Sequence, residues 1–381
     1  KTEPKSVGAM EALASFAPTS ELQVGDDVYV FRLGCSCDGS SVAVATSEHD
    51  LCVIDATTLQ PLRKLQGHQD AVEDLGFFQA EPRCLASCSH DGSAMVWDLR
   101  APEPARRFPV SSREVYSCSV GCGDASLACS ASEKVYLFDV AQGKQTRVFK
   151  DSHTDVVNHI RFHPAQSHKL LTGAEDNLVV VLDTSKPRED EAMLGVIPNE
   201  DCVRSFTLLG PDRNTLCCCS TVEDVRIWGV GDGDFGNLRA QFIGLRSHPL
   251  LVRGTEEEDF GFGYVVETFY DQPSGQAFLL AGAGTAGDVL LFRVTLAEAV
   301  PAAVFSVPTA SGYTGHSGIV RSAICLPGGR VLTAGEDGRI CAWSESSAAP
   351  AGAGPGGAAQ FGLEPSAYGA IRRQAARDTP Y

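Results

Sequence analysis

One recurring unit constrains the fold of this chain more than any other feature. It consists of a small residue and His, about two dozen further residues, Asp followed by Gly or Asn, and an apolar run. The clearest copy begins at Gly67-His68, passes through Asp91-Gly92 and ends at Val96-Trp97-Asp98. A fixed spacing of this kind indicates an array of repeated supersecondary units, each of which buries its apolar face against its neighbours.

Two further copies keep nearly the same spacing. One contains His153, Asp176 and Leu182, and the other contains His316, Asp337 and Trp343. The His-to-Asp spacings in the three copies are 23, 23 and 21 residues. Seven apolar runs have a residue equivalent to Trp97: Ile54, Trp97, Phe138, Leu182, Trp228, Phe292 and Trp343. Their separation predicts one four-stranded unit per roughly 40–45 residues, with insertions before the sixth and seventh units.

The segments between these landmarks are typical of β-strands. Short β-branched or alternating stretches are separated by Gly, Asp, Asn and Ser, and no long amphipathic helix is evident. These residues and spacings resemble those of the WD-repeat β-propeller family over about residues 27–344. The resemblance implies an all-β, seven-bladed propeller with four-stranded antiparallel blades. Because a propeller must close its ring, we expect an N-terminal strand, around residues 11–17, to complete the last blade.

We therefore divide the chain into three regions. Residues 1–24 form an N-terminal segment with the closing strand, residues 25–344 form the propeller, and residues 345–381 form a flexible tail rich in Ala, Gly and Pro. A subgroup of propellers, WD repeat-containing protein eighty-nine-like, is similar in residues 152–164, the long sixth unit and residues 315–337.

In the WD-repeat family, His, Ser or Thr, Asp and Trp form a hydrogen-bonded structural tetrad within a blade. The resemblance implies two complete tetrads and one without Trp, at His68, Ser87, Asp91 and Trp97; at His316, Thr333, Asp337 and Trp343; and at His153, Thr172 and Asp176. Leu182 replaces the Trp of the third set, which removes an indole N–H donor. We expect units one, three, five and six to lack the His and to rely on packing.

Composition limits the classes of ligand. The formal net charge is −17, which disfavours nucleic acid as the main ligand and favours partners with basic segments. No apolar stretch approaches the roughly 18 residues of a membrane span. The chain has 14 cysteines, no Cys-x-x-Cys pair and no Asn-x-Ser/Thr sequon. Reduced, structural thiols in the cytoplasm or nucleus are the expectation, with a cilium as a further location.

Three patterns resemble a catalytic triad, a dinucleotide-binding loop and a metal site, but we interpret each of them as part of the fold. The His, Ser and Asp sets would be buried in several blades, whereas a catalytic triad needs an accessible nucleophile. Glycines at 231, 233 and 236 and at 282, 284 and 287 have dinucleotide-loop spacing, but strands rather than helices follow them. His159 and His163 would lie roughly 13 Å apart on a strand, too far for one metal ion. We predict no catalytic residues, cofactor or metal.

Candidate partner-binding residues occur where the repeat is irregular. Trp97-Asp98-Leu99-Arg100 is similar to the Trp-Asp-x-Arg box of propellers that serve as substrate receptors of cullin-4 ubiquitin ligases, which would place Asp98 and Arg100 against the adaptor. The sixth unit contains an acidic run followed by an aromatic residue, a candidate site for basic peptides: Glu256, Glu257, Glu258, Asp259 and Phe260. A short basic stretch, residues 371–377, is a candidate docking peptide in the tail.

The sequence thus predicts a non-enzymatic protein-interaction scaffold within a multiprotein assembly. Two alternatives stay open. One is the cullin-4 type substrate receptor, and the other is a structural subunit of a ciliary or ribonucleoprotein complex.

Overall fold

The computed structural model describes residues 13–248, 251, 263–271, 274–283, 287–308, 311–326, 328–346 and 371–372. The first strand, β1 (Ala14–Gln23), joins the end of the fold. Five separate antiparallel four-stranded sheets follow it, named here units 1 to 5. Each unit is a simple up-and-down meander, so its first strand and its last strand lie at opposite edges of the sheet.

The strands of units 1 to 3 have these bounds: β2 (Val30–Cys35), β3 (Ser41–Thr46), β4 (Leu51–Asp55) and β5 (Pro61–Leu65); β6 (Val72–Phe77), β7 (Cys84–Ser89), β8 (Ser93–Asp98) and β9 (Pro104–Pro109); β10 (Ser117–Gly121), β11 (Ser126–Ala131), β12 (Lys134–Asp139) and β13 (Lys144–Phe149). Units 4 and 5 contain β14 (Val157–Phe162), β15 (Lys169–Ala174), β16 (Leu178–Asp183) and β17 (Met193–Pro198); β18 (Val203–Leu209), β19 (Thr215–Ser220), β20 (Val225–Gly229) and β21 (Leu238–Phe242). A one-turn helix, α1 (Glu189–Ala192), precedes β17, and a 3₁₀ turn (Leu245–Ser247) follows β21.

A sixth sheet combines two further units. Unit 6 contains β22 (Gly263–Asp271), β23 (Gln276–Ala283), β24 (Asp288–Val294) and β25 (Glu298–Phe305); unit 7 contains β26 (Val320–Cys325), β27 (Val331–Gly335) and β28 (Arg339–Glu345), with β1 as its fourth strand. A two-residue strand, β29 (Ile371–Arg372), pairs with β25. The all-β prediction of four-stranded antiparallel units is therefore confirmed.

The closing strand is confirmed, but its predicted bounds are wrong. It runs over Ala14–Gln23 rather than residues 11–17, and it pairs antiparallel with β28 from Phe16 to Gln23. The register shifts between Pro18 and Ser20. Such an irregularity tolerates a proline, which has no N–H to donate to the ladder. The first residues of β1 also pair in parallel with the end of β25, so β1 links units 6 and 7.

The units form a closed ring. The first strands of neighbouring units contact each other in one cycle, which returns from β26 to β2. An apolar cluster lies at each of the seven junctions; the cluster between units 1 and 2 includes Leu51, Leu85 and Trp97, and another joins units 7 and 1. Because each sheet is buried on both faces by its neighbours, the hydrophobic effect stabilises the ring as a whole rather than any single unit.

The Asp-Gly and Asp-Asn pairs of the repeat serve one backbone conformation. Gly92, Asn177 and Gly338, which each follow the repeat Asp, have positive φ angles of 80°, 66° and 69°. Gly and Asn adopt this left-handed region most easily. At Gly92 a Cβ atom would also lie 2.3 Å from the carbonyl oxygen of Ser111. The repeat glycine is therefore required both by the turn and by the close approach of the next segment.

Candidate functional site

The structure brings the four predicted tetrad residues of unit 2 together in the interior. His68 Nδ1 lies 3.0 Å from Asp91 Oδ2, and His68 Nε2 lies 2.8 Å from Ser87 Oγ. Trp97 Nε1 donates to the same Ser87 Oγ at 2.8 Å. In a neutral ring, Nδ1–H donates to the carboxylate and Ser87 donates to Nε2. The side chain of His68 is fully buried, and hydrogen bonds to both of its ring nitrogens stabilise the blade.

Unit 7 repeats this arrangement, whereas unit 4 lacks one of its bonds. His316 Nε2 lies 2.7 Å from Thr333 Oγ1, to which Trp343 Nε1 donates at 2.7 Å. In unit 4, His153 contacts Asp176 Oδ2 at 3.0 Å and Thr172 Oγ1 at 2.8 Å. The Thr172 hydroxyl also lies 3.2 Å from the Val180 carbonyl oxygen, a second contact where the Trp donor is absent.

Unit 5 does not rely on packing alone, and unit 6 does not lack a histidine. In unit 5, Trp228 Nε1 donates to Asn199 Oδ1 at 3.3 Å, so an amide substitutes for the missing His. The nearby Arg226 guanidinium, whose side chain is 3% exposed, contacts Asp201 at 2.9 Å. In unit 6, His248 is buried and packs edge-on against Phe292, with 5.3 Å between ring centroids. His248 lies between β21 and β22, outside the repeat spacing of the other histidines.

The tetrad aspartates predict a loss of stability in acid. Burial alone would raise the pKa of Asp91, Asp176 and Asp337, but hydrogen bonds from the His side chains and the backbone hold these pKa values below the usual range. A lowered pKa gives stability that is present above about pH 4 and is lost as the pH falls through the folded-state value. We expect the urea concentration at the unfolding midpoint to decrease as the pH is lowered from about 5 to about 3. Asp91→Asn should make that decrease smaller. A midpoint that is unchanged at pH 3 would contradict these assignments.

A second buried polar group lies where the first strands meet at the centre of the ring. The fully buried carboxylate of Asp74 receives two bonds from Arg161, at 2.7 and 3.1 Å, and one from Ser117 Oγ at 2.6 Å. Arg32 Nε lies 3.4 Å from the same carboxylate, and Arg32 Nη1 lies 3.7 Å from Glu267 Oε2. We call Asp74, Arg161, Ser117, Arg32 and Glu267 the ring-centre cluster. It connects units 1, 2, 3, 4 and 6, and the sequence analysis did not identify it.

Electrostatics keeps the ring-centre cluster ionised. Burial by itself would raise the pKa of Asp74, but the charges of Arg161 and Arg32 outweigh burial and hold that pKa well below its usual range. Next to the cluster, burial lowers the pKa of His159, and the same two arginines lower it further. His159 instead packs edge-on against Phe206, with 4.7 Å between ring centroids. His159 also forms a hydrogen bond with the backbone of Phe206.

Other residues considered for chemical roles serve the fold. His163 Nε2 lies 3.2 Å from the Arg213 carbonyl oxygen. Within the described ranges, no group of three or more His, Cys, Asp or Glu side chains could hold a metal ion. Strands β21 and β24 follow the two glycine-rich segments, as expected. Seven of the 14 cysteines are buried, whereas others, such as Cys84 and Cys325, are only partly buried.

The Trp-Asp-x-Arg box ends at the surface. Trp97 is buried, but Arg100 stands on the turn after β8 with 66% of its side chain exposed. Arg100 Nε donates to Asp98 Oδ1 at 2.8 Å, and its hydrogen bonds lower the pKa of Asp98 to about 2. The two residues therefore form an exposed ion pair with each other.

The predicted acidic site of the sixth unit, Glu256 to Asp259 with Phe260, lies outside the described residues. The tail beyond residue 346 does as well, apart from β29. In the ranges that the structure describes, no helix is long and apolar enough to cross a membrane.

Comparisons with known proteins agree with this architecture. The WD domain, G-beta repeat profile matches residues 59–98, 143–183 and 307–344. Each range ends one residue after Trp97, Leu182 or Trp343, in the third strand of unit 2, 4 or 7. The chain is 29% identical over 328 residues to WD repeat-containing protein GTS1 of Arabidopsis thaliana, covering 83% of this chain and 81% of that protein. It is 26% identical to the WD repeat-containing protein 89 homolog of Dictyostelium discoideum, covering 85% of each.

A shorter match relates the chain to a subunit of a named complex. The chain is 28% identical over 161 residues to the GATOR2 complex protein Wdr59 of Drosophila melanogaster, covering 40% of this chain and 16% of that protein. The matched repeats, the closed ring of four-stranded units and the similarity over most of the chain lead to one conclusion: this chain contains WD repeats and is similar to WD-repeat proteins over most of its length.

Proposed function

We propose that this protein is a non-enzymatic scaffold that binds other proteins within a multiprotein assembly. One observation carries the proposal most directly. The histidines of the three His–Asp pairs are fully buried, and both nitrogens of each ring are engaged inside a blade. These groups, which come closest to a catalytic arrangement, have no access to a substrate. What the ring offers to other molecules is its rigid outer surface.

The comparisons support the same class of function. WD repeats fit a protein-interaction scaffold, and one matched relative is by name a subunit of the GATOR2 complex. Rigid propellers present binding residues at fixed positions without the entropic cost of ordering a loop on binding. An experiment is needed to identify the assembly that contains this chain.

The direct test is affinity purification of the tagged chain from its native cells, followed by mass spectrometry and native size-exclusion chromatography. We expect at least one protein to co-elute in a constant ratio with the chain at a mass well above 40.4 kDa. Elution at the mass of the chain alone, with no partner in constant ratio, would contradict the scaffold. Parallel purification with Glu256 to Asp259 replaced by Ser tests the acidic run, because loss of a partner with basic segments would assign that site.

The ubiquitin-ligase receptor is a second candidate, favoured by the exposure of Arg100 on its turn. We expect Arg100→Ala to abolish co-purification of a cullin-4 adaptor. The melting temperature should not change, since an exposed ion pair contributes little to stability. Lys186→Ala, which removes an exposed cation from unit 4, serves as the control. Retention of the adaptor by Arg100→Ala would exclude this candidate.

A further inference from the structure

Positive charge is concentrated on one part of the rim. The outermost strands of units 1, 2 and 3 are β5, β9 and β13, and they carry six cationic residues and no Asp or Glu: Arg63, Lys64, Arg106, Arg107, Lys144 and Arg147. We call these six residues the basic rim. The outermost strands of units 4 and 5 carry no acidic residue either, but they contribute only one cation, Arg239. The chain as a whole has a net charge of −17, so this concentration opposes the overall balance.

Most of the basic rim lacks a negative partner. Lys64 forms ion pairs with Asp50 at 2.9 Å and Glu48 at 3.5 Å. The other five cations have no carboxylate within ion-pair distance among the described residues. Arg106 and Arg147 each donate to a backbone carbonyl of the following unit, at 2.6 and 3.4 Å. A guanidinium has five N–H donors, so a single carbonyl leaves most of its donors available to a ligand.

The three arginines Arg63, Arg106 and Arg147 occupy equivalent positions. They pair in register with Val53, Val96 and Leu137 of the adjacent strand, one in each unit. Such repetition places one guanidinium at the same level of three successive units, which suits a ligand that runs along the rim. Arg63 differs from the other two in one respect, because it makes no carbonyl contact like those of Arg106 and Arg147.

Arg63 instead lines an open cleft between units 1 and 2. The cleft has a volume of about 420 Å³, and Arg83 and Arg100 line it as well. Within the described part of the chain, the guanidinium groups of Arg63 and Arg83 have no hydrogen bond or ion pair. Arg100 is neutralised by Asp98. Asp38 also lines the cleft, but its Oδ1 atom already accepts bonds from Ser36 and Ser40.

We propose that the basic rim, with the Arg63 cleft as its anchoring point, binds an extended acidic segment of a partner protein. Carboxylates of such a segment would supply the negative partners that the rim lacks, since Arg matches carboxylates in bidentate geometry. Leu62, which lines the same cleft and is 55% exposed, offers an apolar contact for an aliphatic side chain. The net charge of −17 disfavours a long nucleic-acid polyanion.

Fluorescence anisotropy with the full chain tests this surface. The probe is a labelled peptide that repeats Glu-Glu-Leu-Ser, and the same peptide with Gln for Glu is the neutral control. The rim variant combines Arg63→Ser, Arg83→Ser and Lys144→Ser. These three side chains form no hydrogen bond or ion pair with any residue that the structure describes, so the melting temperature should be unchanged. The matched variant combines Lys134→Ser, Lys186→Ser and Arg188→Ser, three exposed cations outside the outermost strands, and alters the net charge equally.

We expect the acidic peptide to bind at low salt, to bind more weakly at about 300 mM salt, and to lose roughly tenfold in affinity with the rim variant. Equal losses in the two variants would overturn the proposal, because they would indicate a non-specific charge effect. Absence of peptide binding would also overturn it. Single-stranded DNA that binds as tightly as the peptide, with the same loss in the rim variant, would replace the protein partner with a nucleic acid.

This inference rests on the proposed scaffold function but can fail separately. If partners co-purify in constant ratio with the chain while the peptide does not bind, only the basic rim is refuted. If no partner co-purifies, the scaffold itself is refuted regardless of the peptide result.

Discussion

Removal of residues 1–24 is expected to cause the largest loss of stability of any change considered for this protein. The deletion removes β1, the fourth strand of unit 7, and exposes the edge of β28 along its length. It also removes Phe16, which is 1% exposed and stacks on Phe305 with 4.8 Å between ring centroids. The cost in free energy of unfolding should exceed the about 3–5 kcal/mol that a buried Phe→Ala change alone produces. Urea titration followed by circular dichroism measures it.

The matched control is a chain that begins at Leu13 and therefore keeps all of β1. We expect it to unfold near the midpoint of the full chain. Hydrogen exchange should locate the damage, with β28 amides protected in the control and exchanging rapidly in the shorter chain. Similar midpoints for the two truncated chains would show that β1 does not hold the ring closed.

Asp74→Asn is expected to have the second largest effect. The substitution removes the carboxylate that Arg161 contacts and leaves two guanidinium groups close together at the ring centre. Breaking one partner of a buried ion pair typically costs about 3–5 kcal/mol. Because the ring-centre cluster joins five of the seven units, we expect this loss to appear as earlier unfolding of the whole ring. Calorimetry and urea titration would both detect it.

Asp151→Asn provides the control for Asp74→Asn, because it removes the same charge from an exposed position. Its free energy of unfolding should stay within about 0.5 kcal/mol of that of the unmodified chain. An equally small effect of Asp74→Asn would mean that the ring-centre cluster contributes nothing to stability.

The repeat spacing predicted the parts of the fold that depend on local pattern. Trp97 and Trp343 lie near the ends of equivalent strands, and each indole donates to a Ser or Thr hydroxyl that also contacts a His. These features follow from sequence because each tetrad is contained within one unit and its members keep a nearly constant spacing. The closing strand was predicted in kind but not in extent, because Pro18 obscures the strand pattern that continues to Gln23.

Features that join separate units escaped the sequence analysis. Asp74 and Arg161 are 87 residues apart, and no local pattern relates them. A weak signal exists, because Arg32 and Asp74 each follow by two residues the Val that begins a first strand, and charge there is unusual. Asn199 and His248 were missed for other reasons. Asn199 differs in residue type from the His of the complete tetrads. The insertion displaced His248 from the His position that the repeat spacing gives.

The residues that maintain the fold differ from those that we propose to bind partners. The tetrad histidines and Asp74 are buried, and the tetrads and the ring-centre cluster form their hydrogen bonds and ion pairs within the protein itself. The basic rim and the Arg100 turn are mostly exposed, and the cations of the basic rim are concentrated in units 1 to 3. The regular buried residues therefore maintain the ring, and we propose that these surface residues select partners.

The most direct measurement of this claim compares stability and partner binding in two variants. Ser87→Ala leaves His68 and Trp97 without their shared hydroxyl and should cost about 1–3 kcal/mol, while each co-purifying partner still binds as long as the chain is folded. The rim variant should keep the stability of the unmodified chain and lose its acidic partner. If folded Ser87→Ala lost its partners while the rim variant kept all of them, the separation of structural and binding residues would be contradicted.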